Sequence, residues 1–508
     1  MTRNTATEMK LAADSPLSDP AREGCDLPEE LFHLSLDTAP DCCKPSEFDK
    51  AAGSVKPTIR RIPPPELPAC DPLSKLRQSF LGRFYIRYLK KNKMIRAAAF
   101  RLWCSGYPIY IKYKIRTTKT SRSFPLVKLS KFSRRSPENV YKLAASETVE
   151  SPLPAVYPGR DRSHLATLHD QYTFPSIFIT TIHNAFVTGG TNLIVAGDEV
   201  ICHDLYDFPR DYTSEELHGR TVINPRFNRV RWLMNDPMSE SLPAAAAFID
   251  ACAHNYAHWM TEVLPRICLF CVDERFQDVP IILSDDLHSN LMESLLMVSD
   301  AQRTIFTLPV GRAVHVEKLF SVSPTGYVPF GQRSKKLLGH LHGLFSPYAL
   351  NMLCNKLKAM VPLAAENIPS KIYLRRNSGI RKIVNNAEIE SILTRKGFSI
   401  VEPEKLNFLE QIILFANTDV VVGGTGAACA NLVFCKPSAQ FLILISKHES
   451  MPYGYWQNMA CAVGGRVKYV LGDVVHSADL GIHGDYTINP SDILDALNMP
   501  NTPAEYSA

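Results

Sequence analysis

The chain has 508 residues, 45% of them hydrophobic, with 56 Lys and Arg set against 51 Asp and Glu. That length and apolar content allow two or three domains with sizeable cores and exclude a small disulfide-stapled protein. The near balance of charge hides an asymmetry: eighteen of the cations and no carboxylate lie between Lys75 and Arg135, so the remainder of the chain is acidic.

Residues 1–70 are rich in Pro, Asp, Glu and Ser, lack periodic apolarity and read as a disordered N-terminal region. No leader-like segment and no apolar run long enough to cross a bilayer is visible, so a cytoplasmic location is expected, with peripheral attachment at an inner membrane as an option. The 13 cysteines lack regular spacing and are expected as reduced, mostly buried thiols; the one C-x-x-C, Cys268 to Cys271, has no second pair to complete a zinc site.

Residues 71–150 are the basic segment, where Phe80, Tyr85, Trp103, Tyr107 and other rings alternate with cations. This mixture suits an anionic membrane surface through residues 75–135. Nucleic acid is the competing partner, although none is expected, and a solvated linker is the plain alternative.

A first α/β domain is expected over 151–350. Runs such as IFITTI, NLIVAG and EVICHDLY predict a β-rich beginning, Leu242 to Phe270 reads as predominantly helical, and PIILSDD, NLMESLLMVS, TIFTLP and LFSVSP then alternate. A junction is expected near Ser346 to Pro362. Over 351–485, KIYLRR, AEIESILTRKG, FSIVEPE, FLEQIILFANT, DVVVGG, AACANLVF, QFLILIS, YWQNMACAVGG and RVKYVLG alternate with short connections, the pattern of a parallel sheet wrapped by helices. Residues 486–508 read as a tail. The expected fold class is α/β: two Rossmann-like domains in tandem, with ligands at strand carboxyl ends and between domains.

Four stretches carry candidate chemistry. In HNYAHWMTEVLPR, Asn255, His258 and Glu262 share one helix face, with His258 one turn before Glu262 and with Trp259 and Arg266 nearby. Glu262 or His258 can act as a general base, while a pair satisfying a domain interface is the bland alternative. In KIYLRRNSGIRKIVNN, Arg375, Arg376, Arg381 and Lys382 follow a strand end, where guanidinium groups can clamp a diphosphate or simply form a solvated turn. In VEPEKLNFLEQ, Glu404 ends a strand, whereas Glu410 near a helix start can be only a structural charge. Finally, Asp419 to Cys435 reads as strand, glycine turn and helix start. Gly423, Gly424 and Gly426 are expected to permit unusual backbone angles, and the helix N–H groups beyond Ala427 to seat an anion. Neither the dinucleotide fingerprint nor a Walker A loop fits, because Cys429 stands at the third glycine position and no Gly-Lys-Ser or Gly-Lys-Thr follows. Asp285-Asp286 is read as a strand-end turn, not a metal-binding D-x-D pair.

Together these stretches resemble glycosyltransferase family 61, which includes bacterial capsular and exopolysaccharide enzymes. The order is Asn255, His258, Trp259, Glu262, Pro265 and Arg266; then Arg376, Arg381, Lys382 and Asn385; then Pro403, Glu404, Glu410 and Gln411; then Gly423, Gly426, Ala427, Asn431, Leu432 and Phe434. The resemblance implies a GT-B fold with an acceptor-side first domain and a donor-side second domain. It also implies inverting, metal-independent transfer from a nucleotide-diphosphate sugar, needing no cofactor. The expected acceptor is a polysaccharide or lipid-linked saccharide. Glu262 and His258 take the catalytic role; Arg376, Arg381, Lys382, Glu404, Gly424, Thr425, Gly426, Ala427 and Asn431 bind the donor; Asn255, Trp259 and Arg266 line the acceptor side or cleft. Many members carry H-G-A-G-L where this chain has Thr425 to Cys429, a departure that leaves an inactive nucleotide-sugar-binding or scaffold protein as the alternative.

Overall fold

The computed structural model describes residues 58–63, 122–166, 168–234, 238–299, 302–329, 331–333, 343–361, 368–378, 380–449, 451–475 and 482–499. The expected disorder of residues 1–70 therefore lies almost wholly outside the described residues, as does most of the basic stretch. Among the described residues no helix is long and apolar enough to cross a membrane.

The C-terminal unit follows directly from its alternating sequence. Val420–Gly424, Gln440–Ser446 and Lys371–Leu374 are apolar runs buried on both faces, which only a parallel sheet covered by helices accommodates. The parallel strands stand in the order Ser399–Val401, Lys371–Leu374, Val420–Gly424, Gln440–Ser446 and Val467–Val474. In chain order this is 2-1-3-4-5, so the winding reverses between Lys371–Leu374 and Val420–Gly424. The helices Asn386–Arg395, Phe408–Asn417 and Gly454–Ala462 form the crossovers. Phe408–Asn417 begins with a reciprocal cap: Asn407 Oδ1 accepts from Glu410 N–H, and Glu410 accepts from Asn407 N–H, both at 2.8 Å.

The N-terminal unit has a parallel core extended by antiparallel strands. Ile59–Arg61, Ile305–Leu308, Ile281–Ser284, Met238–Ala247 and Ala313–Val322 run parallel in that spatial order, and Ile177–Thr188 continues the sheet antiparallel to Ala313–Val322. Here the winding reverses between Met238–Ala247 and Ala313–Val322. The order of those four later strands is 3-2-1-4 in chain order, with the helices of residues 256–271 and Ser289–Val298 as crossovers.

Several boundaries differ from expectation. The alanine-rich run within Leu242 to Ala247, helical by propensity, is a strand, because its small side chains let it lie between two parallel neighbours. Residues 122–150 do not belong to a basic surface segment: Ser123–Lys128 pairs with Glu199–Cys202 and Arg229–Trp232, and Val140–Ala144 pairs with Ile177–Thr188. Residues 347–359, expected at a junction, form the helix Pro347–Ala359 with Leu350, Leu353 and Leu357 fully buried. The expected tail begins with Tyr486–Thr487 antiparallel to Val467–Val474 and continues as the helix Pro490–Asn498. Ala155–Tyr157 pairs with that same strand, so the N-terminal half of the chain also contributes to the C-terminal sheet.

The two units share one apolar core. A single cluster joins Phe248, Trp259, Phe270 and Phe320 of the first to Phe408, Phe434, Trp456 and Tyr469 of the second. The helix Pro347–Ala359 lies inside this seam, packed on both Leu264–Cys271 and Phe408–Asn417. Burial of this kind resists separation of the units, since each large side chain uncovered would cost about 1.5–3 kcal/mol.

Candidate active site

In open α/β sheets the carboxyl ends of the two strands flanking a winding reversal splay apart, leaving a crevice where ligands bind. In the C-terminal unit those strands lead into Arg375 to Asn385 and into Thr425 to Ala427. Arg376 lies against the glycine turn so closely that a Cβ on Gly426 would sit 1.9 Å from its Nη1. Its Nε donates to Ile380 O at 3.2 Å. Burial raises the pKa values of Tyr486 and Cys429, and the guanidinium groups of Arg376 and Arg381, on the same loop, partly offset this by their charge.

Arg381 adopts a left-handed backbone, φ 53°, which costs a non-glycine residue free energy. A strap formed by residues 483–486 holds it there. Arg381 N–H donates to His483 O at 3.2 Å, Lys382 N–H to Asp485 Oδ1 at 2.9 Å, and Tyr486 N–H to Lys382 O at 3.0 Å. The Lys382 side chain is exposed. Arg375, by contrast, is taken up by carboxylates, with Glu390 at 2.6 Å and Glu402 at 3.3 Å.

The glycine turn differs from the expected one. None of Gly423, Gly424 and Gly426 has a left-handed backbone; Gly426 is extended at φ 167°. Instead they permit close approach: a Cβ on Gly423 would meet Leu374 at 2.9 Å, and one on Gly424 would meet Ile383 at 3.3 Å. The segment Ala427–Phe434 is a 3-10 helix, not an α-helix. Thr425 is buried, its N–H donating to Leu444 O and its Oγ1 accepting from Trp456 Nε1 at 3.0 Å. Its hydroxyl is thus fastened into the core. Asn431 is fully buried and bridges the units: Tyr256 OH donates to Asn431 Oδ1 at 2.5 Å, and Asn431 Nδ2 donates to Gln411 Oε1 at 2.7 Å. Exposed Glu404 accepts from Asn377 at 2.5 Å at the rim, while Glu410 serves the helix cap described above.

Asn255 caps the helix of the N-terminal unit, accepting from Ala257 N–H at 3.0 Å. The helix is α over Tyr256–His258, widens to a π turn over Trp259–Val263 and resumes as Leu264–Cys271. A π turn inserts one residue into the winding and is frequent at functional sites. The Glu262 carbonyl, in this turn, accepts from Arg266 Nε at 2.7 Å. Glu262 and His258 are both buried, with His258 Nδ1 2.7 Å from Glu262 Oε1. Burial raises the Glu262 carboxyl above its ordinary value, and the neighbouring imidazole partly offsets this. Trp259, expected to line a cleft, is fully buried in the core and donates through Nε1 to Ser294 Oγ at 2.8 Å. Arg266 and Glu262 face a small cavity instead, together with Asn192, His203 and Asp250.

The helix therefore connects both winding reversals. Its first turn packs on the 3-10 helix Ala427–Phe434, and its π turn packs on Gly326–Tyr327, beyond the strand Ala313–Val322. Asp250, Tyr486 and the 483–486 strap escaped sequence reasoning. Asp250 follows a strand misread as helix, and the strap straddles the expected end of the domain. Among the described residues no group of three or more His, Cys, Asp or Glu is placed to hold a metal ion.

Two parallel-sheet units, with guanidinium groups at one reversal and a buried carboxylate-imidazole pair on a helix reaching both, define an α/β protein. Residues 256–442 match the family model described as Glycosyltransferase 61, so this stretch of the chain is similar to that family. The match spans the His258–Glu262 helix, the Arg376–Arg381 loop and the glycine turn, and stops before the 483–486 strap. None of the curated proteins matches the chain.

Proposed function

We propose that the protein is an inverting glycosyltransferase that moves a sugar from a nucleotide-diphosphate donor to a saccharide acceptor without a metal ion, with its two units in a GT-B arrangement. The observation carrying this reading is the convergence of Arg376 and Arg381 on the Gly424 to Ala427 turn at the C-terminal winding reversal. Two guanidinium groups neutralise a diphosphate by charge-assisted hydrogen bonds and stabilise the charge that grows as it leaves. Exposed Lys382 adds a mobile cation.

The acceptor hydroxyl attacks the anomeric carbon from the face opposite the diphosphate. One carbon–oxygen bond forms as the bond to the diphosphate oxygen breaks, and the hydroxyl proton passes to the His258–Glu262 pair. With Nδ1–H donated to Glu262, the imidazole carries its lone pair on Nε2, so the pair acts as one base with the carboxylate orienting the ring. In its finer form the acceptor is lipid-linked, and the basic residues between 75 and 121 keep the enzyme at an anionic membrane. Equal recovery on neutral and anionic vesicles would remove that part.

The deciding experiment is a thermal-shift panel of UDP-, GDP-, TDP- and CMP-sugars on wild type and Arg376→Ala. A diphospho-donor should raise the melting temperature of wild type and not of the variant. No shift with any donor, together with no hydrolysis or transfer, would leave a scaffold of the same fold.

A further inference from the structure

A second set of buried charges lies behind the base. The cavity facing Glu262 and Arg266 measures about 30 Å³ and sits at the carboxyl ends of the strands flanking the N-terminal reversal. Its polar lining is Asn192, His203, Asp250, Glu262, Arg266 and Ser321. Asp250, buried in the loop after Met238–Ala247, is held rigidly: Oδ1 accepts from Cys252 N–H at 2.8 Å and Oδ2 from Asn192 Nδ2 at 2.9 Å. Asn192 is itself fixed by Tyr206, which donates to Glu215 at 3.2 Å. The Nδ1 of His203 is buried and makes no hydrogen bond within the described protein, a demand that a water in the cavity would meet.

We propose that Asp250 is a positioning residue of the transfer reaction, facing Glu262 across this cavity and, with Arg266, setting the charge and orientation of the Glu262–His258 base. This rests on the base role given to that pair. Arg266 holds the carbonyl of the π turn through Nε and lies in the field of both Asp250 and Glu262. Burial raises the Glu262 carboxyl most, and the guanidinium of Arg266, lining the same cavity, partly offsets this. The groups facing Glu262 are His258 and Arg266 from its own helix, Asp250 from the loop, and Tyr327 from the segment beyond Ala313–Val322. Glu215 and Tyr206 stand behind Asp250 and Asn192, and Lys128 and Arg266 act on His203. Of these, Asp250 is the anion that pushes Glu262 upward, whereas His258 and Arg266 pull it down.

The test is the pH dependence of kcat/KM in wild type, Asp250→Asn, Asp250→Glu and Glu262→Gln, with infrared titration of the carboxyl band lost in Glu262→Gln. Removing the Asp250 charge should move the acid limb of the profile to lower pH, and the Glu262 band should titrate lower with it. Asp250→Glu keeps the charge and fills the cavity, so the limb should stay near wild type while the band changes frequency. A drop in rate by the same factor at every pH, with an unmoved limb, would overturn the assignment. If Asp250→Asn does not fold, an unchanged Glu262 band in Asp250→Glu overturns it equally. Near-normal transfer by Glu262→Gln would instead bring down the base role itself, an outcome distinguishable from the others.

Discussion

The two winding reversals of this molecule are built from opposite materials. At the C-terminal one, glycines bring backbone and guanidinium groups together, and cations gather where strands end. At the N-terminal one, buried carboxylates gather around a small cavity, and a widened helix turn carries Glu262 next to His258. The first reversal suits holding an anion, and the second suits taking a proton. The contrast teaches that topologically similar crevices are specialised by the charge sign of a few side chains, while the apolar seam keeps their spacing constant.

The comparison breaks first at Glu262. Glu262→Gln removes the carboxylate charge that completes the His258–Glu262 base with little change in shape, so transfer should fall by about 10²–10⁴-fold while donor affinity, measured by thermal shift, stays within twofold. A parallel loss of donor binding would mean that the two reversals do not divide the work. Next comes the cation side: Arg376→Ala should weaken donor binding by a few kcal/mol, roughly 10²-fold, if its contact is charge-assisted. Gly426→Ala should approach that loss without removing charge, because the new methyl group takes the space of Arg376 Nη1. Normal donor affinity in both variants would refute the clamp.

The same carboxylate makes a stability prediction of opposite sign. Its folded pKa is raised above the ordinary 4.5, so its contribution is fully present below that value and is lost as pH rises through the folded pKa. Glu262→Gln should therefore match wild type in Tm at low pH and become the more stable of the two as pH rises. A difference that shrinks with rising pH would contradict the buried charge. The smallest effects belong to fastenings. Thr425→Val should cost about 1 kcal/mol by deleting the acceptor for Trp456 Nε1, and should leave donor affinity intact. Weakened donor binding would return Thr425 to the anion site. Glu410→Ala should lose about 0.5–1 kcal/mol from its helix cap with unchanged turnover.

Much of this was legible in the C-terminal half, where apolar runs of strand length alternate with amphipathic helices. There the periodicity determines the strands and most helices, and it places the Arg376 loop and the glycine turn at strand ends, whereas the 3-10 form of Ala427–Phe434 and the final helix left no such signal. The N-terminal half was harder for identifiable reasons. A run of alanines has high helix propensity, yet tertiary pairing made it the central strand, which hid Asp250. Strand additions from residues 59–61 and 122–144 are set by distant partners and carry little local signal. Trp259 and Asn431 carry family signal, yet the structure uses one as core and the other as a bridge between units.

The left-handed Arg381 has a consequence for engineering and for natural variation. Its strain is sustained by backbone bonds from a strap lying outside the family match. Truncation before residue 483, at the apparent edge of the domain, would therefore leave every matched residue in place yet release Arg381 to a relaxed backbone angle. The same cut would also remove Tyr486, Ile488, Ile493 and Ala496 from the core of the C-terminal unit, so the structural boundary of the unit lies beyond its recognisable one.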